Sequence, residues 1–105
     1  MKTGHFVAFA LALALMIQVP SGAGAVGVGK QCGGFAGIQC NHGLFCQHPT
    51  GACFIFDIAG TCARIPRFCP LIFRPVCGCN GTTYPNDCVR QAAMVSKAHD
   101  GKCLF

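Results

Sequence analysis

The chain has no glutamate and only three acidic residues, Asp57, Asp87 and Asp100. So few carboxylates cannot supply a paired acid and base, and no Ser/His/Asp set stands beside them, which argues against an enzyme. Basic runs are missing too. Lys30, Arg64, Arg67, Arg74, Arg90, Lys97 and Lys102 stand apart from one another, and no nucleic-acid-binding motif accompanies them, so a nucleic-acid partner is not expected. They form no amphipathic basic face either, which weighs against a cationic membrane-active peptide. No cysteine comes closely after the apolar N-terminal run, so a lipid-anchored bacterial form is disfavoured. The middle of the chain, between Cys53 and Cys62, has no Pro- or Ser-rich flexible linker.

What is present begins with an address. Lys2 and His5 precede the apolar run Phe6 to Val19, and small residues lead on to Ala23-Gly24-Ala25. The run is short for a membrane span and its flanks are those of a secretory signal peptide, residues 1–25. Cleavage after Ala25 would leave 80 of the 105 residues. The eight Lys/Arg less Lys2 then leave seven cations against three Asp, a mild +4. A secreted protein is expected, extracellular or periplasmic in a bacterium, with no membrane contact after cleavage.

All ten cysteines lie in that mature part. An even count in a short exported chain reads as a disulfide framework, because so small an apolar core rarely suffices alone. Ten thiols allow roughly 900 pairings, so spacing has to choose among them. Zinc held by cysteines with His42, His48 and His99 is the weaker reading, since the spacings are not finger-like and export oxidises thiols. No metal and no cofactor is expected, and no free thiol remains for nucleophilic catalysis.

Two halves suggest themselves. Residues 26–61 hold Cys32, Cys40, Cys46 and Cys53 in a Gly-rich stretch without a sustained helical or strand period, a loop-rich Cys knot. Residues 62–103 hold Cys62, Cys69, Cys77, Cys79, Cys88 and Cys103. Each half has an even count and can close on itself, so no disulfide is expected between them. The alternative, one irregular domain with disulfides across the boundary, stays open. The apolar connector "FIFDIAGT" predicts that the halves pack together through Phe54, Ile55, Phe56 and Ile58. In the second half, "PVCGC-NG-TTY" predicts a β-hairpin in which Asn80-Gly81 takes positive φ at both turn positions. Asn86 and Asp87 can open a helix running to about Val95, with Cys88, Ala92 and Val95 on one face. "SKAH" comes next as a third short strand. Asn80-Gly81-Thr82 also matches a glycosylation sequon, although the turn accounts for these residues fully.

The stretch "CPLIFRPVCGCNGTTYPNDC", residues 69–88, sets four cysteines around an exposed-looking apolar run. Pro70 fixes φ ahead of Leu71, Ile72 is stiff at χ1, and Pro75 restricts the exit. Such a segment offers itself to a protein cleft with little entropy left to lose. The spacing Cys69 to Cys77 to Cys88, the Pro-Val-Cys-Gly and Gly-x-Thr-Tyr elements, Asn86 two before Cys88, and closure at Cys103 together resemble a Kazal-type serine protease inhibitor domain over residues 62–103. The first half resembles the small Gly/Cys-rich units found beside such domains, and the insulin-like-growth-factor-binding type through its "CGG".

The resemblance implies a small disulfide-rich Kazal-like α+β fold: a short three-stranded antiparallel sheet and one short helix. It implies a reversible, tight-binding, substrate-like inhibitor, monomeric, with Leu71-Ile72 as the reactive bond and Pro70, Leu71, Ile72, Phe73 and Arg74 as the protease-binding loop. Asn86 would support that loop by side-chain hydrogen bonds. Leu71 implies a serine protease of chymotrypsin-, subtilisin- or elastase-like specificity. A non-inhibitory, follistatin-like extracellular binding module is the alternative. In disulfides, the resemblance implies Cys69–Cys88 and Cys77–Cys103. The chain departs from the family pattern at Gln91, where a helical cysteine usually stands. That leaves Cys62 to pair with Cys79, since a Cys77–Cys79 ring would be strained. Crossed pairs Cys32–Cys46 and Cys40–Cys53 are expected in the first half.

Overall fold

The computed structural model describes residues 24–104. Residues 1–23 of the expected signal peptide lie outside them, and no helix among the described residues is long and apolar enough to cross a membrane. Two small antiparallel sheets and one short helix make up the described chain.

The first sheet consists of β1 (Gln31–Gly33), β2 (Leu44–Gln47) and β3 (Ala59–Arg64), in the order β1-β3-β2. β1 and β2 are too short to show an alternating pattern, and the inward positions of the six-residue β3 are Gly60 and Cys62, which give no apolar signal, so this half reads as loop alone. Beside the buried Phe45, sulfur makes up most of the core here: Cys32 and Cys62 are 0% and 1% exposed, and Cys46 stands directly opposite Cys62 across β2 and β3. Gly60, opposite Cys32, is what allows this closeness. A Cβ there would lie 2.6 Å from the Gln47 carbonyl oxygen and 2.9 Å from Cys46 Sγ. Backbone cannot give way as a side-chain tip can, so Gly60→Ala should lower stability by about 1–3 kcal/mol. A thermal midpoint equal to the parent's, measured on the oxidised chain, would refute this account of the sheet.

The second sheet consists of β4 (Val76–Gly78), β5 (Thr83–Tyr84) and β6 (Lys97–Asp100), in the order β5-β4-β6. Between β5 and β6 lies the helix α1, Asp87–Ala92. The predicted three strands and helix are all present. Two local details differ. In the hairpin turn only Gly81 takes positive φ, +82°. Gly81 N–H donates to the Gly78 carbonyl (2.9 Å) and Gly78 N–H to that of Thr82 (2.9 Å). Cys79 and Asn80 therefore form the centre of the turn, and Gly81 comes after it in the left-handed region, a three-residue hairpin loop in place of the primed two-residue one. Asn80 Oδ1 accepts from Thr82 N–H (3.1 Å), which stabilises this form.

The helix also stops earlier than Val95. Met94 adopts φ 60°, its N–H bonds the Gln91 carbonyl (2.9 Å) and Val95 N–H bonds that of Arg90 (3.3 Å). This is a Schellman stop with methionine in the position that glycine usually takes. Because the helix is only six residues long, the expected face does not form: Ala92 is exposed and Val95 lies beyond the last turn. Arg90 is the buried helical residue, 3% exposed. Its Nε donates to Asp87 Oδ1 (2.9 Å) and its Nη1 to the Val95 carbonyl. Its guanidinium is thus buried with polar partners rather than left unpaired.

Five disulfides use all ten cysteines. Cys32–Cys46, Cys69–Cys88 and Cys77–Cys103 are as expected. Cys62–Cys79 and Cys40–Cys53 are not formed. Cys40 pairs with Cys62 and Cys53 with Cys79 instead, so both bonds join the halves that were expected to close separately. The reason is β3. It spans the expected boundary between residues 61 and 62, and its pairing with β1 and β2 places Cys62 inside the first sheet, 5.7 Å from Cys40 between Cα atoms. Cys79, just past the end of β4, then meets Cys53 at a Cα separation of 5.2 Å.

The apolar connector does not fill the contact. Phe54 (82%), Ile55 (58%) and Phe56 (91%) are exposed and Ile58 is half-buried. With the gap closed by sulfur at Cys53–Cys79, the chain turns outward, Ile55 N–H closing back to the Ala52 carbonyl (3.5 Å). Polar bonds complete the seam. His48 N–H donates to Ser96 Oγ (2.9 Å), Gly51 N–H to the Lys97 carbonyl (3.0 Å) and Gln91 Nε2 to Gln47 Oε1 (3.3 Å).

Candidate functional site

The segment between Cys69 and Cys77 lies outside any strand as far as Val76. The two prolines forbid ladder pairing at Pro70 and Pro75, and a short loop cannot fold its own apolar side chains inward. Leu71 is fully exposed (105%), Phe73 is 74% and Ile72 53% exposed. Phe68, just ahead of Cys69, is 89% exposed. Among the described residues, neither the N–H nor the C=O of Leu71 takes part in a backbone hydrogen bond. Both remain available to an edge of another chain.

Exposure does not mean slackness here. Asn86 Nδ2 donates to the carbonyls of Pro70 (3.2 Å) and Ile72 (2.8 Å), the neighbours of Leu71 on either side. With both carbonyls drawn toward the body, the side chain between them is turned outward. Asn86 itself is 7% exposed. Its Oδ1 accepts from Val89 N–H (2.9 Å), so one amide caps α1 and holds the loop. Arg74 N–H donates to the Pro85 carbonyl (2.8 Å). Cys69–Cys88 ties the start of the segment to α1, and Cys77–Cys103 ties its end to the C-terminal arm. A crevice of about 220 Å³ runs under the loop between Pro70, Ile72, Val76, Asn86 and Asp100. Thus Pro70 and Ile72 edge the underside while Leu71 projects.

Beneath the loop lies a small charge network. Asp87, in the first turn of α1, contacts Arg90 Nε (2.9 Å) and Lys97 Nζ (3.3 Å), and Lys97 also contacts Asp100 (2.9 Å). Burial pushes the Asp87 carboxyl up, but hydrogen bonds and charge from Arg90 and Lys97 outweigh it, and the net shift is below the ordinary 3.8. The hydrogen bond to Asp100 raises Lys97 above its ordinary 10.5; partial burial opposes this and Asp87 adds to it. A lowered carboxylate contributes stability that is present above its unfolded pKa and is lost as pH falls through the folded one. Stability, and with it the anchorage at Asn86, should therefore decline below about pH 3.8. Lys97 acts at the other end, its contribution fading as pH rises past 10.5. Unfolding midpoints for Asp87→Asn should lack the acid decline contributed by this group; an acid limb identical to the parent's would show that it contributes nothing.

Of the residues expected at the loop, Pro70, Leu71, Ile72, Phe73 and Arg74 form one exposed run outside any strand, and Asn86 lies against it through the Pro70 and Ile72 carbonyls. The histidines of the zinc reading are not gathered at this loop. His42 and His99 are exposed and His48 half-buried, and His99 Nδ1 lies 2.8 Å from the Asp100 carbonyl oxygen. The sulfurs of Cys32, Cys40 and Cys62 lie within 4.8 Å of one another, but each is committed to a disulfide. Sequence reasoning missed Arg90, whose burial no periodic signal announces, and the Cys53–Cys79 tie, which the even cysteine counts concealed.

Comparison with known proteins adds to this geometry. The family model for the Kazal-type serine protease inhibitor domain matches residues 46–103. Ovoinhibitor of Gallus gallus is 51% identical over 41 residues, covering 33% of this chain and 8% of that protein. A four-domain proteases inhibitor of Melithaea caledonica is 44% identical over 41 residues, 33% of this chain and 21% of its own length. The serine protease inhibitor dipetalogastin of Dipetalogaster maximus is 48% identical over 40 residues, 33% and 11% of the two chains. The chain thus spans a small part of these relatives.

Proposed function

The chain belongs to the Kazal-type serine protease inhibitor family, and we propose that it is a secreted, reversible, substrate-like inhibitor presenting Leu71-Ile72 as its reactive bond. The observation that carries this reading is the position of Asn86: its amide holds the carbonyls on both sides of a fully exposed Leu71. A serine protease binds an extended segment along its cleft, seats one side chain in its main pocket and attacks that residue's carbonyl. Leu71 supplies the side chain and its own carbonyl the target.

Tight inhibition needs more than good fit, because a good fit is also a good substrate. Attack at Leu71 would give an acyl-enzyme and free the amino group of Ile72. In a flexible peptide that amine diffuses away and water completes hydrolysis. Here Asn86 holds the Ile72 carbonyl, while the Arg74–Pro85 bond and Cys77–Cys103 hold the chain on the C-terminal side. Cys69–Cys88 holds it on the N-terminal side. The amine stays beside the acyl carbon at a high effective concentration, and bond re-formation competes with water. Preorganisation also removes most of the ordering cost of binding. Neither cofactor nor metal enters this scheme.

The partner is a protease with a deep apolar pocket, of chymotrypsin-, subtilisin- or elastase-like specificity, met outside the cell or in a periplasm by a monomeric inhibitor. The test is a titration of the oxidised chain, residues 26–105, against proteases of these types and a trypsin-like one. Stoichiometric inhibition of an apolar-pocket enzyme is expected, with slow cleavage that yields a new N-terminus at Ile72. Inhibition of none, or cleavage at another bond, would overturn the proposal.

A further inference from the structure

We propose that the N-terminal half is a positioning brace for the reactive segment, standing in for a direct tie between the arm that leads into the segment and the strand that leaves it. This deepens the inhibitor reading and rests on it. The arm begins at Cys62 and the outgoing strand β4 ends just before Cys79. Those two cysteines are not bonded to each other. Each is bonded to the first half, Cys62 to Cys40 and Cys79 to Cys53. The connection between them therefore runs through residues 40–53. That stretch is itself stiff: β2 pairs with β3 over four positions, and Cys46 is bonded to Cys32 in β1.

The brace reaches the loop over short distances. Strand β4 has three residues, about 10 Å of chain, so holding Cys79 holds the exit at Pro75. Residues 48–51 lie along the start of β6, with His48 N–H on Ser96 Oγ (2.9 Å) and Gly51 N–H on the Lys97 carbonyl (3.0 Å). Cys79 N–H reaches the Ser96 carbonyl (2.8 Å) at the same place. Helix α1, which carries Asn86 at its start, is met from the first half by the bond from Gln91 to Gln47 (3.3 Å). Gln91, Ser96 and Cys79 are thus positioning residues: they lie outside the protease-binding loop, yet both supports of the reactive bond, the cap residue and the outgoing strand, lean on them.

The experiment uses the whole mature chain. Cys53→Ser with Cys79→Ser should raise the rate at which a catalytic amount of protease cuts Leu71-Ile72 by about tenfold or more, as rigidity at the cleft is lost. The order of preference among proteases should not change, because Leu71 still fills the pocket. Hydrogen exchange at Arg74 N–H, the donor to Pro85, should quicken by about tenfold through local opening. Parent-like cleavage and exchange in a variant that keeps the other four disulfides would overturn the proposal. If that variant does not fold, Gln91→Leu with Ser96→Ala, which keeps every cysteine, decides. It should quicken both readouts by about fivefold or more, the scale of two lost hydrogen bonds, while Gln47→Glu, which keeps an acceptor for Gln91, stays at the parent value. No change in the double variant would also overturn it. A parent that inhibits no protease would defeat the inhibitor reading alone, since the exchange comparison still tests the brace.

Discussion

On the proposed reading, replacing Leu71 by Lys should move the preference from apolar-pocket proteases to trypsin-like enzymes. A buried leucine contributes about 1.5–3 kcal/mol, so seating a lysine in a deep apolar pocket should weaken binding there by about ten- to a hundredfold. A trypsin-like pocket, with a carboxylate at its base, gains a partner by the same change. The variant keeps the fold because Leu71 is fully exposed and contributes nothing to the core. Arg74→Ala is the control. Arg74 is exposed and its structural contact is made by its backbone N–H, so its removal should leave the preference order alone. Inhibition constants for both variants against the same panel decide the matter. Selective loss of trypsin-like inhibition on changing Arg74 would place the reactive bond elsewhere.

The second large effect is expected at Asn86. Asn86→Ala removes three hydrogen bonds at once, two to the loop and one to α1. At about 0.5–1.5 kcal/mol each, the two loop bonds should weaken inhibition by about five- to a hundredfold when lost, with faster cleavage of Leu71-Ile72, while the cap bond bears on stability. Asn86→Ser separates the two roles. Serine caps a helix about as well as asparagine, but its hydroxyl is too short to reach the Pro70 and Ile72 carbonyls. It should recover most of the lost stability and little of the lost inhibition. Thermal midpoints read the first quantity and inhibition constants the second. Full recovery of inhibition by serine would mean that the cap alone matters.

The hairpin, the helix start at Asn86 and the third strand were legible in the sequence, because each rests on local rules, whereas the roles expected of Leu71 and of Asn86 at the loop came only from the family resemblance. A proline fixes its own φ, an asparagine caps the turn ahead of it, and Asn-Gly marks a reversal wherever it stands. Even the local misreadings are small. One glycine rather than two residues carries the positive φ of the turn, and Met94 takes a left-handed stop that glycine usually provides. The first sheet was not legible. Strands of three and four residues cannot display alternation, and in this half the deepest positions are the sulfurs of Cys32 and Cys62 rather than a run of apolar side chains. Phe54 and Phe56 misled for the related reason that hydrophobicity in a chain stapled by disulfides no longer implies burial.

By itself, then, the amino-acid sequence determined that this chain is a disulfide framework with a Kazal-like stretch between Cys69 and Cys103, and the structure added that Leu71 stands fully exposed within it. Only the tertiary structure decided how the cysteines are shared between the halves. Even counts in each half are equally compatible with two closed knots and with two crossing bonds. The choice was made by β3, which pairs with β1 and β2 and so carries Cys62 to Cys40, leaving Cys53 and Cys79 to meet across the seam. Strand register over long separations is a property of the whole chain, and no local spacing of cysteines encodes it.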